Sequence, residues 1–265
     1  MKRSPTFRCA DTTPRRAFTL VEMSVAMAIL AMIVISLSTI LFSTSMTCNT
    51  GLQRANNFTK ARCMLDAMAR DLNGVLLRSD LPAFSNSNFE FYTQQAGIIS
   101  GSPRQISLVS YKIDSTSAKS TLQRGDAGTT WASSAQTVRF SAPPGSSLPA
   151  LTQRDTIEGV VGFEAIFHFK DGTASRQYTV SADNPLRAIS LNLAVIDDPC
   201  LKQLSSDQIR DLRQKLTTAA QSGIDVKSNW DGYLSSQLDW TRYPKKLASG
   251  IKTYQRYVTL STPIR

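Results

Sequence analysis

Arg15-Arg16-Ala17-Phe18-Thr19-Leu20-Val21-Glu22-Met23 opens onto Val25–Phe42, VAMAILAMIVISLSTILF, and this stretch decides the fold. From Met23 to Gln53 no residue is charged. About 20 apolar residues in a helix cross the hydrocarbon layer of a bilayer, so the run predicts a membrane helix or an export signal. Arg15 and Arg16 lie just before it. Basic flanks stay on the cytoplasmic side, which puts the extreme N-terminus in the cytoplasm and everything after about Met46 outside. An ordinary secretory signal has a shorter apolar run and a small-x-small cleavage site beyond it, and this segment has neither. Glu22 stands alone at the threshold of the run. A carboxylate there is costly away from water, so it either snorkels to the interface or serves a partner.

This order of residues resembles the class III signal of type IV prepilins and pseudopilins. The resemblance implies that a membrane-embedded prepilin peptidase cuts on the cytoplasmic side, between Ala17 and Phe18, and methylates the new amine of Phe18. The family usually has Gly before the cut, where this chain has Ala17. Glu22 occupies the place of the family's acidic residue. It would pair with the Phe18 amine of a neighbouring subunit, because the two charges buried together cost far less than either alone. The implied partners are other pilin or pseudopilin subunits, the prepilin peptidase, the membrane and an inner-membrane assembly platform. The implied location is the inner membrane, single-pass, with the head in the periplasm or outside the cell. Arg15-Arg16-Ala17-Phe18-Thr19-Leu20 also resembles a twin-arginine export signal. Those signals have a moderately apolar run and end in a signal-peptidase site, whereas here a long apolar run is followed by Ser43-Thr44-Ser45-Met46-Thr47.

After Gly51, apolar residues recur at Phe58, Ala61, Met64, Leu65, Met68, Leu72, Val75 and Leu76, the three-four spacing of an amphipathic helix. Its polar face carries Arg54, Lys60, Arg62, Arg70 and Asp71, and Asn73-Gly74 followed by Asp80-Leu81-Pro82 mark where it stops. Segments 88–94, 105–113, 137–142, 160–170, 177–180 and 186–196 are rich in Val, Ile, Leu, Phe and Tyr and predict strands, with Lys170-Asp171-Gly172 turning a hairpin into the strand at Gln177. Ser205 and Gln208 stand at capping-box spacing before a short helix to Leu216, and residues 254–260 predict a last strand. Trp230, Tyr233, Leu238, Trp240, Tyr243 and Tyr254 are expected in a core.

The expected fold is α+β: a long N-terminal helix, first transmembrane and then an amphipathic spine, packed on a mainly antiparallel β head with a C-terminal helical excursion. The expected domains are a leader at 1–17, the helix at 18–80 (membrane 18–46, spine 47–80), the head at 81–200, and a C-terminal helix and final strand at 201–265. Arg70-Asp71-Leu72, Ser107-Leu108-Val109-Ser110-Tyr111 and Leu122-Gln123-Arg124-Gly125 resemble the order found in J-type minor pseudopilins and W-type minor pilins. In that family an R-D-L ends the spine helix, then come a strand ending in Tyr and a strand ending in L-x-R. The 248 residues after Ala17 also exceed the usual size of a major pilin head, which favours a minor subunit.

Other chemistry finds little support. The formal charge is +10, but Lys2, Arg3, Arg8, Arg15 and Arg16 against Asp11 supply +4 of it. The rest is thinly spread without interleaved aromatics, which argues against nucleic acid. Four cysteines, at 9, 48, 63 and 200, include no C-x-x-C pair, and with His168 as the one histidine neither a zinc site nor a hydrolytic triad is advertised. Cys48 and Cys63 share one predicted helix about 22 Å apart, beyond disulfide reach, and read as buried free thiols. Asp197-Asp198 with Asp183 is the one acidic grouping that suggests calcium, although Asp-Asp-Pro at a strand exit also makes a turn. No cofactor, metal or catalytic residue is therefore assigned. The alternative to a filament subunit is a bitopic, signal-anchored extracytoplasmic binding protein, for which Glu22 is dispensable.

Overall fold

The computed structural model describes residues 19–77, 84, 89–94, 106–114, 119–128, 155–178, 181, 183–244 and 247–260. The leader expected at 1–17, Phe18, the Asp80-Leu81-Pro82 stop and the strand expected at 137–142 lie outside the described residues. The chain divides into two compact units, 1–51 and 52–265. Helix α1 (Leu20–Asn73) contributes its first part to one and its second part to the other.

In the first unit every described residue is exposed, including Leu30, Ile33 and Leu41, although this part of α1 holds an 18-residue window of mean hydropathy 2.6. So long an apolar surface bare to water is untenable and calls for lipid or other helices around it.

In the second unit α1 buries Ala61, Met64, Leu65, Met68 and Leu72 on the expected stripe. Two residues depart from it. Phe58 is 52% exposed, and Asp71, expected on the polar face, is 4% exposed. The helix ends at Asn73, where Gly74 turns the chain and Val75 bridges to Thr93.

The strands are β1 (Phe89–Thr93), β2 (Ser107–Asp114), β3 (Thr121–Gly128), β4 (Asp155–Glu158), β5 (Val160–Phe169), β6 (Ala174–Ser175), β7 (Leu186–Ile196) and, at the end of the chain, β8 (Ile251–Thr259). They form two antiparallel sheets, ordered β1-β2-β3-β4 and β6-β5-β7-β8. The hairpin after Lys170-Asp171-Gly172 returns through β6, which pairs with Phe167 and His168, ahead of the expected start at Gln177, which lies in a bend; residues 179 and 180 of the expected strand lie outside the described residues. Asp171 explains the shift, because its carboxylate accepts from the Thr173 N–H and hydroxyl and tightens the turn.

Between β7 and β8 the chain makes its helical excursion: α2 (Asp198–Leu201), α3 (Ser206–Ala220), α4 (Val226–Ser236), a 3-10 turn at Trp240–Arg242 and α5 (Leu247–Gly250). The Ser205–Gln208 capping box forms, with both reciprocal bonds present. Because β8 returns to pair along β7, the excursion belongs to the head instead of forming a separate unit.

The second sheet is covered on both faces. One face carries Ile189, Leu191, Leu193 and Val258 into a core with the α1 stripe, Phe91, Val109 and Tyr111. The other carries Val161, Ile166, Ala194 and Ile251 into a core with Ile209, Leu212, Leu216 and Trp230 of the excursion. Gly162 permits this packing: a Cβ there would stand 3.0 Å from the Trp230 indole. Trp230 donates from Nε1 to the Leu216 carbonyl at 2.9 Å, and Tyr243 and Leu238 are buried beside it. Tyr233, Trp240 and Tyr254 are half-buried at the core margins. Arg176 donates to the carbonyls of Ala220 and, at 2.6 Å, Gly223, pinning the end of α3 to the sheet.

Candidate functional site

The sequence points to two places in this chain, and each is organised by a carboxylate of α1. At the first, Thr19 precedes the helix and Glu22 lies in its first turn. Glu22 N donates to Thr19 Oγ1 at 3.2 Å, while the Thr19 N–H and hydroxyl donate to Glu22 Oε2 at 2.9 and 3.0 Å. Thr19-Leu20-Val21-Glu22 is therefore a capping box, signalled by its T-x-x-E spacing but absent from the expectations above. It satisfies orphan amide donors of the first turn and puts negative charge at the positive end of the helix. Both donors reach Oε2, and among the described residues no donor reaches Oε1. Arg15, Arg16, Ala17 and Phe18 lie outside the described residues, so the structure neither joins them to Glu22 nor separates them from it.

At the second place, the three short strings that suggested a minor subunit converge. Tyr111 Oη donates to Asp71 Oδ2 at 2.5 Å. Arg124 closes the other side with a two-pronged contact, Nε to Oδ2 at 2.8 Å and Nη2 to Oδ1 at 3.3 Å. The Asp71 and Arg124 side chains are only 6% and 10% exposed, and Asp126 stands 3.7 Å from Arg124 Nη1. A fork-shaped guanidinium matched to a carboxylate is the strongest form of this pair, and burial demands that both be matched. Burial pushes the Tyr111 phenol well above its ordinary range, and the Asp71 charge pushes it further. Burial opposes the charge on Arg124, but the bonds and charge of Asp71 outweigh it and hold the guanidinium firmly protonated. Tyr111 and Arg124 face each other in the β2–β3 register, so the end of α1 is bolted to two adjacent strands. Thr93 adds a bond from its hydroxyl to the Asp71 carbonyl at 2.8 Å.

The remaining candidates do not assemble. Asp183 and Asp197 fall at opposite ends of β7; Asp197 caps α2 by accepting from Cys200 N at 3.0 Å, and Asp198 pairs with Lys60 at 2.6 Å. Among the described residues no group of three or more His, Cys, Asp or Glu is placed to hold a metal. His168 Nε2 lies 3.0 Å from Ser190 Oγ, its ring 5.5 Å from that of Tyr257, and burial lowers its pKa from 6.5. Cys48 and Cys63 both lie on α1, but they are exposed, against the expectation of burial; Cys200 is buried. Cys63 lies off the buried stripe of the spine, and Cys48 lies in the first unit, where every described residue is exposed.

Comparison with known proteins bears on the first place. Residues 13–43 match the family described as the prokaryotic N-terminal methylation motif. This chain thus carries the N-terminal signal of type IV prepilins and pseudopilins ahead of an α+β fold of long helix and antiparallel sheets. Among solved structures, a type IV-like pilin from Thermus thermophilus is similar, with TM-score 0.37 and 12% identity, covering 78% of this chain and 97% of that one. No curated protein sequence matches the chain.

Proposed function

We propose that this protein is a minor pseudopilin or minor pilin, of J or W type, that helps initiate or cap a type II secretion pseudopilus or a type IV pilus. The observation that carries the reading is the methylation motif at 13–43 running into an apolar helix with no burial of its own. Such a helix needs a bilayer first and neighbouring helices afterwards. The prepilin peptidase removes residues 1–17 and methylates Phe18. The N-terminus starts in the cytoplasm, the helix spans the inner membrane once, and the head faces the periplasm or the exterior.

Within the assembled filament Glu22 has two duties. Oε2 keeps the capping box with Thr19, while Oε1 accepts from the Phe18 amine of a neighbouring subunit. In lipid both charges are poorly matched, so pairing them favours assembly and sets axial register. The work is structural, carried out through other subunits and an inner-membrane platform, with no catalytic group required.

The test is incorporation. In cells carrying the partner filament genes, the wild-type chain is expected in the sheared or membrane-extracted filament fraction, and Glu22→Leu is expected to remain in the membrane with a normally folded head. Equal incorporation of Glu22→Leu would refute the role of this carboxylate and favour a simple signal anchor.

A further inference from the structure

β8 is the outermost strand of its sheet. It pairs with β7 from Ala188↔Thr259 to Ile196↔Ile251, and among the described residues no strand lies on its other side. An antiparallel edge strand turns alternate N–H and C=O groups outward, where a further strand can take them. The corresponding edge of the other sheet is not equivalent, since β1 is buried throughout and Val75 bridges to its end.

Grooves run along both sides of the β8 edge. One, of about 400 Å³, is floored by Phe58, Leu65 and Tyr254 and rimmed by Arg62, Lys227 and Arg256. Its floor is aromatic, with the Phe58 and Tyr254 rings 6.1 Å apart, and Phe58 is the one residue of the spine stripe that the head leaves exposed. The other, of about 370 Å³, lies on the α4 side between Lys227, Asp231 and Leu234 and the strand residues Ile251, Lys252 and Thr253. A strand laid on β8 sends successive side chains to alternate faces, one into each groove.

Charge selects the occupant. Arg62, Lys227, Lys252 and Arg256 face this edge, against Asp66 and Asp231. Three of the four bases meet the two acids, Arg62 and Arg256 at Asp66 and Lys227 at Asp231 at 2.6 Å, with the Thr253 hydroxyl on the same carboxylate, so the positive excess on this edge is the surplus of bases over acids. Lys252 is exposed. Basic side chains on an edge repel a second copy of the same strand, the usual guard against edge-to-edge pairing, and the same charges admit an acidic one. We propose that β8 is a docking edge for an extended acidic segment of another polypeptide, which adds as a strand and places apolar side chains over Phe58 and Tyr254. This surface stands whether or not the chain enters a filament.

The experiment uses the full chain in detergent micelles and a fluorescent synthetic strand of the length of β8 that alternates Glu with Val. Controls are the same strand with Lys for Glu, and an oligothymidylate. The acidic strand is expected to bind, to slow hydrogen exchange of β8 amides, and to bind about tenfold more weakly to Lys252→Glu, whose exposed position leaves the unfolding midpoint unchanged. Equal binding of the Lys strand, displacement by the oligothymidylate, binding that leaves β8 exchange untouched, or no binding would each overturn the proposal. A second variant, Phe58→Ser, is expected to weaken the Glu-Val strand while leaving the head folded, and an unchanged affinity would remove the aromatic floor from the account.

Discussion

The two parts of α1 carry one carboxylate each at a critical place, and they treat it in opposite ways. Glu22, in the unit ending at Gly51, is exposed and answered by its own Thr19 at three residues' distance. Asp71, in the other unit, is buried and answered by Tyr111 and Arg124, 40 and 53 positions away. The apolar residues follow the same division. Leu30 is 60% exposed and Leu72 fully buried, although both are leucines on one helix. The lesson is that Leu72 and Asp71 are finished by the head around them, whereas Leu30 finds no cover and Glu22 only its own Thr19 among the described residues.

The comparison breaks most visibly at Asp71. Asp71→Ala takes from the buried Arg124 its two-pronged carboxylate contact, leaving Asp126 at 3.7 Å, and is expected to cost about 3 kcal/mol in denaturant unfolding of the full chain. Replacing both partners, Asp71→Leu with Arg124→Met, is expected to cost less than Asp71→Ala alone, since the buried guanidinium goes together with its fork-matched carboxylate and only the 3.7 Å contact to Asp126 is lost besides. A double mutant as unstable as the sum of the single changes would show that the pair is uncoupled. Glu22, by contrast, is expected to be replaceable without any change in head unfolding.

The leucines sharpen the contrast. Leu72→Ala is expected to cost about 2–5 kcal/mol through the cavity it leaves. Leu30→Ala is expected to leave head unfolding unchanged and to reduce retention of the chain in detergent-free membranes. A fall in the head's stability from Leu30→Ala would erase the distinction between the two parts of α1.

The smallest effect lies at His168. Burial lowers its pKa from 6.5 in the folded chain, so the unfolded chain takes up the proton first as pH falls. Stability is therefore full above pH 6.5 and is lost on acidification through the folded value. His168→Gln, which keeps a polar partner for Ser190, is expected to flatten that part of a melting-temperature profile.

How much of this was legible in sequence follows the range of the interactions. The apolar run, the spine stripe, the Ser205–Gln208 box and the bounds of β7 rest on neighbours a few positions apart, and the sequence displays them. β4, DTIE, and the helix α4, whose Asp225 accepts from Ser228 N, escaped notice. The first is a strand because β3 pairs with it, and the second had a capping signal that its aromatic residues obscured. β3, TLQRGDAG, has poor strand formers and was marked only by its likeness to a family string; pairing on both sides and the Arg124 ion pair hold it in the sheet. The burial of Asp71 could not be read from its charge and its place beside Arg70, because both of its partners come from the sheet. Phe58 failed in the opposite sense: its spacing says core, but the head does not extend over it.

The central claim is that the bare half of α1 is a processed, membrane-born assembly helix, and the direct measurement is the intact mass and N-terminal sequence of the chain from its native membrane, with and without an active prepilin peptidase. The account predicts a chain beginning at methylated Phe18 when the peptidase is present and at Met1 when it is not. A chain that retains residues 1–17 beside an active peptidase, or one that begins beyond Met46, would contradict it.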